Sequence, residues 1–266
     1  MKNIKSKTKY ALFFDVDGTL MIGDRISDEN VNAINYAKNK GHYVFINSGR
    51  GMFNLNVEEI KKIEWDGYLS GSTYLTFRGK TLFSQFICKE AIRDLIDFCK
   101  WINVCCVLEG FSSNYAINSS ATESTITIPG YVSEIIQTYP RIDDEQALNE
   151  VYEDIKASKI TFMTVVNDEL LKDNKYFDFI QFKDYTEGLQ KGFNKAVLMK
   201  KIGDYLNIKQ QEMIAFGDSL NDLQMLEYAG IKVVINGAPQ KLLEIADIVT
   251  KSKITGVAEA IKILLN

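Results

Sequence analysis

The sequence predicts an α/β protein whose core is a doubly wound parallel sheet, interrupted by a second module of mixed helices and strands. The sheet is predicted because short apolar runs alternate with amphipathic helical segments at both ends of the chain, and polar loops follow those runs. The second module is predicted because this alternation stops near residue 78 and resumes near residue 187. With 266 residues the chain is long enough for two domains of modest size.

The first strand and helix set the direction of the sheet. The run KYALFF before Asp15 is almost continuously apolar, which is typical of a strand buried on both faces. Ser27 offers an N-cap to the next helix, apolar residues recur there at helical spacing, and Gly41 ends it. HYVFI then follows as the second strand. A strand, helix and strand in this order imply a right-handed crossover, so both strands end at the same edge of the sheet.

The remaining elements define the predicted domain boundaries. A helix is expected from about Met52 to Ile63, then the strand GYLSG, and FRGK is typical of a hairpin turn joining YLTF to TLFSQF. The middle of the chain predicts helices at KEAIRDLIDFCKWI, YVSEIIQTY and DEQALNEVYEDI and strands at VCCVLE, KITFMTVV and YFDFIQF. The helix NKAVLMKKIGDYL, the strand MIAF, the helix NDLQMLEYA, the strand IKVVI and a helix near GVAEAIKILL follow. We therefore expect a core of residues 1–77 and 187–266, with an inserted domain of residues 78–186.

Composition narrows the classes of function. The net charge of −4 comes without a basic block, which argues against nucleic acid and an anionic membrane as partners. No stretch approaches the ~18 apolar residues of a membrane helix, and the first apolar run stops at Asp15, too soon for a signal peptide. The four cysteines lack CxxC spacing, and a single histidine cannot build the usual zinc sites. We expect a cytoplasmic protein that acts on a small molecule.

Two loops rich in aspartate follow predicted strands. In DVDGTL, Asp15 and Asp17 stand just beyond the first strand, and Gly18 lets the chain turn sharply. In GDSLND, Asp218 and Asp222 follow the strand MIAF. Each loop alone is also compatible with an ordinary Asp-Gly turn or a helix cap. If both loops share one sheet edge, carboxylates about 4 Å apart repel by ~4 kcal/mol at an effective dielectric of about 20, so a hard divalent cation such as Mg²⁺ is expected among them.

Two shorter motifs point to phosphate. NSGR after the second strand supplies the Ser48 hydroxyl and free amides around Gly49, in the type of loop that binds phosphate in α/β folds. Lys191 in QKGF precedes a predicted helix and could neutralise a developing phosphoryl charge. Taken alone, a solvated surface lysine is the better interpretation, but the position of Lys191 before GDSLND favours the phosphoryl role.

DVDGTL, a Ser-Gly loop, Lys-Gly and GDSLND, in this order and on these elements, resemble the haloacid dehalogenase superfamily of phosphohydrolases. The module between the Ser and Lys motifs resembles the Cof-type branch of sugar-phosphate and small-metabolite phosphatases. The resemblance implies a Rossmann-like doubly wound core with an inserted α+β cap domain. It also implies a Mg²⁺-dependent phosphatase that hydrolyses a small phosphorylated metabolite, a sugar phosphate or a similar monoester, through a phosphoaspartate.

The resemblance assigns a role to each motif residue. Asp15 would be the nucleophile, Asp17 the general acid and base, and Lys191 the partner of Asp15 and the phosphate. Phosphate would be bound by Ser48, Gly49 and Asn221, with Asn221 reaching the phosphate or bracing its loop. The metal residues would be Asp15, Asp17, Asp218 and Asp222. Asp222 would bind the metal directly or orient its waters or Lys191.

Two other functions use the same motifs. A phosphomutase shares the aspartyl chemistry, so transfer of the phosphoryl group to a second sugar hydroxyl is the closest alternative. A non-catalytic regulator that binds Mg²⁺ or phosphometabolites is the other, but it would need no acid or base at Asp17. The expected assembly is a monomer or a homodimer.

Overall fold

The computed structural model of the chain describes residues 8–121, 127–128 and 131–265. The chain divides into two compact units. Unit 1 consists of Met1–Gly49, Asn56–Ser84 and Asn194–Asn266, and unit 2 consists of Arg50–Leu55 and Gln85–Phe193. Among the described residues, no helix has the length and apolar character required to cross a membrane.

The strands and helices are numbered along the chain. The strands are β1 (Ala11–Phe14), β2 (Tyr43–Ser48), β3 (Gly67–Ser70), β4 (Tyr74–Phe77), β5 (Lys80–Ser84), β6 (Cys106–Gly110), β7 (Tyr115–Ile117), β8 (Thr127–Ile128), β9 (Tyr131–Val132), β10 (Ala157–Phe162), β11 (Phe177–Gln181), β12 (Thr186–Gln190), β13 (Met213–Gly217), β14 (Ile231–Val234) and β15 (Ile248–Val249). The helices are α1 (Asp28–Asn39), α2 (Glu58–Lys61), α3 (Lys89–Trp101), α4 (Ser133–Ile136), α5 (Glu145–Val151), α6 (Asp168–Leu171), α7 (Lys195–Leu206), α8 (Leu223–Tyr228), α9 (Gln240–Leu243) and α10 (Gly256–Leu265).

Unit 1 is built on an eight-stranded sheet in the order β15-β14-β13-β1-β2-β3-β4-β5. The strands from β15 to β3 are parallel, and β4 and β5 add an antiparallel edge. The predicted α/β fold with a central parallel sheet is confirmed. The chain builds outward from β1 in one direction and from β13 in the other, so the strand order reverses between these two strands. In open α/β sheets, ligands bind at the carboxyl ends of the strands beside such a reversal.

Both faces of this sheet are buried at its central strands β1 and β13. All four residues of β1 are buried, as the continuous apolar run predicts. Phe13 stacks on Phe45 with ring centroids 5.2 Å apart, on the face where α7 and α8 pack. Phe14 points to the opposite face because side chains alternate along a strand, and there it stacks on Phe216 at 4.5 Å.

The boundaries of the second unit differ from the predicted boundaries of the inserted domain. The hairpin of β4 and β5 belongs to unit 1 through residue 84, because β4 pairs with β3 and extends the same sheet. Strand β12 was missed in the sequence; it pairs with β10 and β11 and keeps the chain in unit 2 through residue 193. The main segment of unit 2 therefore runs from Gln85 to Phe193, compared with residues 78–186 of the predicted domain.

Unit 2 contains a five-stranded antiparallel sheet in the order β11-β12-β10-β6-β7. One face packs against α3 and α5. Buried residues of these helices, such as Leu95 and Leu148, join Leu108, Ile160 and Phe162 of the strands in one hydrophobic cluster. The segment therefore has the α+β composition that the sequence predicts.

Two predicted helices are shorter in the structure. The helix expected from Met52 to Ile63 is a 3-10 turn at Met52–Leu55 followed by the single turn of α2. The helix expected at YVSEIIQTY begins only at α4, because Tyr131–Val132 form β9. The first of these segments is divided between the two units.

Asn30 joins two helices of unit 1 that are far apart in the sequence. Its fully buried side chain donates from Nδ2 to the carbonyl of Ile254 at 2.9 Å and accepts from the amide of Ala258 at 3.0 Å. Ala258 lies in the first turn of α10, where amides have no partner within the helix. Asn30 of α1 thus supplies an acceptor for the start of α10.

We predict that Asn30→Ala lowers the free energy of unfolding by about 2 kcal/mol, because the buried Ala258 amide loses its acceptor. Asn32→Ala, at an exposed position of the same helix, is the matched control and should change it by less than about 0.5 kcal/mol. Urea denaturation of both variants tests this. Equal stability of the two would show that the bridge contributes nothing.

Candidate active site

The candidate site lies at the carboxyl ends of the parallel strands of unit 1, beside the reversal of strand order. Asp15 follows β1 directly, and its amide donates to the carbonyl of Phe216 in β13 at 3.0 Å. Ser48 is the last residue of β2, and Asp218 follows β13. DVDGTL, NSGR and GDSLND thus lie at one edge of the sheet, as the sequence predicts.

A buried lysine holds two aspartates at the centre of the site. Nζ of Lys195 donates to Oδ1 of Asp15 at 2.5 Å and to Oδ1 of Asp222 at 2.6 Å. None of the three side chains is more than 6% exposed. Burial acts to lower the pKa of Lys195, but the charges of Asp15 and Asp222 outweigh it and raise that pKa. Lys195 therefore stays protonated at neutral pH.

The carboxylates carry more negative charge than Lys195 alone can balance. Burial, and next the charge of Asp222, raise the pKa of Asp15 well above its ordinary value, although Lys195 opposes them. Burial raises the pKa of Asp218 to about 6, against the hydrogen bond that the Thr19 hydroxyl donates to it at 2.7 Å. Both carboxylates would be easier to ionise with a further cation present.

The donor set fits a hard divalent cation. Asp15, Asp218 and Asp222 each bring one carboxylate oxygen within 4.8 Å of the others. Oxygen ligands of this kind are the ones that Mg²⁺ prefers. Oδ2 of Asp222 also accepts from the amides of Asp218 and Ser219 at 3.0 and 3.1 Å. Because both oxygens of Asp222 already accept hydrogen bonds, this residue is best placed to fix the GDSLND loop and Lys195.

Two glycines allow the aspartate loops to lie close together. Gly18 has a φ of +85°, and a Cβ atom there would lie 2.2 Å from Oδ2 of Asp218. A Cβ at Gly217 would lie 2.6 Å from Cβ of Asp222. The glycines of DVDGTL and GDSLND are therefore required by close approach, and Gly18 also by its left-handed backbone.

The other predicted residues take different positions. Asp17 is exposed and lies outside the three-carboxylate cluster. Ser48 is buried, its carbonyl accepts from the amide of Gly71 at 3.0 Å, and Gly49 next to it is half-buried. Oδ1 of half-buried Asn221 accepts from the hydroxyl of Ser219 at 2.6 Å, which fits the bracing role.

The structure places Lys195, and not the predicted Lys191, in contact with Asp15. Lys191 is exposed, belongs to unit 2 and follows β12, where its amide donates to the carbonyl of Tyr176 at 2.8 Å. Lys195 starts α7 in unit 1, directly after the N-cap Asn194. The sequence did contain a signal for this lysine. It lies on the same helical stripe as Leu198, Met199 and Ile202, and a lysine on a buried apolar stripe requires a charged partner.

Two further residues of the site were missed. Thr19 is fully buried and holds Asp218 through its hydroxyl. Asn47, at 1% exposure, donates from Nδ2 to the carbonyl of Lys195 at 3.2 Å and so fixes the first turn of α7. Thr19 lies inside a motif that was recognised, whereas the contact of Asn47 depends on packing between β2 and α7.

Comparison with known proteins identifies the family and agrees with the fold. The family model of haloacid dehalogenase-like hydrolases matches residues 12–261. The putative phosphatase YkrA of Bacillus subtilis is 29% identical over 265 residues, covering 94% of this chain and 96% of that protein. The 5-amino-6-(5-phospho-D-ribitylamino)uracil phosphatase YitU of Bacillus subtilis is 26% identical over 95% of this chain and 96% of that protein. The HAD subclass IIB sugar phosphatase BT4131 has a similar fold, with a TM-score of 0.77 and 24% identity over 96% of this chain and 98% of that chain.

We predict that Gly18→Ala destabilises the protein more than Gly23→Ala does. Both positions have positive φ, which costs about 1–2 kcal/mol for a residue with a Cβ atom. At Gly18 the new methyl group also collides with Asp218, at a further cost of about 1–3 kcal/mol, whereas Gly23 has no atom within 4 Å of that position. Thermal or urea denaturation of the two variants tests this. Equal losses would mean that Asp218 moves aside freely.

Proposed function

The chain belongs to the haloacid dehalogenase-like hydrolases, in the Cof-type branch of phosphatases, and from this premise we propose that it is a Mg²⁺-dependent phosphatase acting through a phosphoaspartate on Asp15. The observation that carries this proposal is the ion pair of Lys195 with Asp15 beside Asp218 and Asp222. A nucleophilic carboxylate must remain ionised next to an anionic substrate, and a permanently charged lysine supports that state.

In the proposed first step, a carboxylate oxygen of Asp15 attacks the phosphorus atom of the substrate. A new bond forms between phosphorus and that oxygen as the bond to the substrate oxygen breaks. Lys195 offsets the charge that gathers on the phosphoryl oxygens. The hydroxyl of Ser48 and the amide of Gly49 are proposed to hold these oxygens, with Asn221 bracing the neighbouring loop.

Asp17 is proposed as the general acid and base. It would donate a proton to the departing oxygen and then take one from the water that hydrolyses the phosphoaspartate, releasing inorganic phosphate. Two features support this role. Asp17 is exposed, so it can reach both the leaving group and water, and it stands two residues after Asp15 at the end of the same strand.

Mg²⁺ is proposed to be held by the carboxylates of Asp15 and Asp218 and the carbonyl of Asp17. When bound, it would neutralise negative charge shared between the carboxylates and the phosphoryl group. Asp222 would orient Lys195 and the GDSLND loop instead of serving as a main ligand, because its oxygens already accept three hydrogen bonds.

The proposed substrate class is a phosphomonoester on a sugar or sugar-alcohol chain. The names of the relatives support this class, since YitU acts on a phosphoribityl compound and BT4131 is a sugar phosphatase. Both substrates carry the phosphate on a carbon chain with several hydroxyl groups.

We predict that the protein releases phosphate from p-nitrophenyl phosphate and from some members of a panel of sugar and ribityl phosphates. Release should require Mg²⁺, stop with EDTA and disappear in Asp15→Asn, which replaces the nucleophile with an amide of the same shape. Phosphate release and product identity are measured together. Turnover that persists in Asp15→Asn would refute the phosphoaspartate. An isomeric sugar phosphate without release would indicate a mutase, and no turnover at all would favour a binding protein.

A second prediction separates the two lysines. Lys195→Met should lower kcat/KM by about 10²–10³ or more, because it removes the charge that supports Asp15 and the phosphoryl group. Lys191→Met, at an exposed position in unit 2, should leave kcat/KM within about twofold, as surface substitutions usually do. Circular dichroism confirms that both variants fold. The reverse order of effects would restore Lys191 to the catalytic role.

A further inference from the structure

A short turn connects the proposed phosphate loop with unit 2. Arg50–Leu55 follows Gly49 directly in the sequence, yet by its contacts it belongs to unit 2. The segment closes on itself, because the amide of Asn54 donates to the carbonyl of Gly51 at 3.0 Å and Nη1 of Arg50 donates to the carbonyl of Asn54 at 3.1 Å. We call Arg50–Leu55 the docked turn.

Glu109 of β6 binds the docked turn with one carboxylate oxygen. Oε2 accepts from the amide of Gly51 and from Nδ2 of Asn54, both at 3.0 Å. Oδ1 of Asn54 in turn accepts from Nδ2 of Asn114 at 2.9 Å. Glu109 is 1% exposed, and hydrogen bonds to a buried carboxylate are about twice as strong as bonds between neutral groups. The carboxylate thus sets where the turn lies against β6.

The backbone of the docked turn also touches β6 directly. A Cβ atom at Gly51 would lie 2.9 Å from Cβ of Glu109 and 3.1 Å from the carbonyl oxygen of Gly110. Real side chains do not approach this closely, so only glycine allows the turn to lie this near the strand. This close approach is a second observation, separate from the hydrogen bonds, that the docked turn packs against β6.

The second oxygen of Glu109 is anchored within the sheet of unit 2. Oε1 accepts from the hydroxyl of Thr161 at 2.7 Å and lies 3.1 Å from Nζ of Lys159. Lys159 also donates to Oε1 of Glu187 at 2.6 Å. Burying several charges costs free energy that apolar residues of similar size would not cost. The buried network therefore makes the fold less stable than an apolar core would. A role in positioning the turn would explain why these charges are there.

We propose that Glu109 is a positioning residue for the phosphate loop: by fixing the docked turn it holds Ser48 and Gly49 in a conformation ready to bind phosphate. The inference rests on the proposed function. Gly49 and Arg50 alone separate Ser48 from Gly51, and each residue spans about 3.8 Å. A shift of Gly51 must then be taken up by the residues that bind the phosphate.

The test compares Glu109→Gln with Glu187→Gln. Each variant replaces one acidic partner of Lys159 by an amide of the same shape, but only Glu109 contacts the docked turn. An amide has a single acceptor oxygen, so Glu109→Gln cannot accept hydrogen bonds from both the turn and Lys159 of the sheet. Three quantities are measured: KM and kcat for p-nitrophenyl phosphate, the Kd of inorganic phosphate by calorimetry, and amide exchange across residues 50–55.

Glu109→Gln should raise KM and the phosphate Kd about tenfold, with a smaller change in kcat, because the phosphate loop binds the phosphoryl group before and during reaction. Exchange at residues 50–55 should be faster while β10 stays protected. Glu187→Gln should leave the kinetic constants, the phosphate Kd and the exchange of residues 50–55 within about twofold of the wild type. Gly51→Ala pushes the turn away from β6, because its new methyl group meets Glu109 and Gly110. It should reproduce the Glu109→Gln pattern if Glu109→Gln folds poorly.

Equal effects of Glu109→Gln and Glu187→Gln, or an unchanged phosphate Kd in both Glu109→Gln and Gly51→Ala, would overturn the proposal. Failure of the proposed function gives a different result. In that case the wild type releases no phosphate from any ester, and the Kd of inorganic phosphate and the exchange of the turn still decide the role of Glu109.

Discussion

The contact of Lys195 with Asp15 and Asp222 is the interaction on which the candidate site depends. It joins the end of β1 to the start of α7, which stand 180 residues apart in the sequence. The parallel sheet makes this possible, because it brings the ends of β1 and β13 to one edge and α7 packs across the same strands. Asp222 then transmits the contact to the GDSLND loop through two backbone amides. Removing the charge of Lys195 would leave two carboxylates buried next to each other without their cation.

Much of the core and most of the site could be predicted from local patterns. Continuous apolar runs predict β1, β2 and β13, and the rule for parallel crossovers predicts that Asp15, Ser48 and Asp218 share one edge of the sheet. The choice between the two lysines is harder, because Lys191 and Lys195 both stand near the start of α7 and the motif alone does not show that their segments join different units. That distinction depends on β12, whose sequence TEGLQ has little of the β-branched and aromatic character of strands.

The failures in secondary structure also have a physical cause. The helix expected after Met52 does not form as one element: its first turn belongs to unit 2, and Val57, which precedes α2 in unit 1, has an extended backbone. Oε2 of Glu109 accepts a hydrogen bond from the amide of Gly51, which lies 58 positions away in the sequence. Such a contact has no local signature, since an isolated Gly reads as a flexible position and an isolated Glu as a surface residue. Tertiary contacts override local propensity most strongly at the points where the chain changes from one unit to the other.

The strand order has a consequence for the synthesis of the protein on the ribosome. Every segment of unit 2 has been made once residue 193 emerges from the ribosome. In contrast, β1 can pair with β13 only later, because the first residue of β13 that pairs with it is Met213. During this interval the four apolar residues of β1 lack one of their two neighbours in the sheet. A nascent chain of this topology leaves one edge of an apolar strand unpaired until β13 has been made, and unpaired apolar edges favour aggregation.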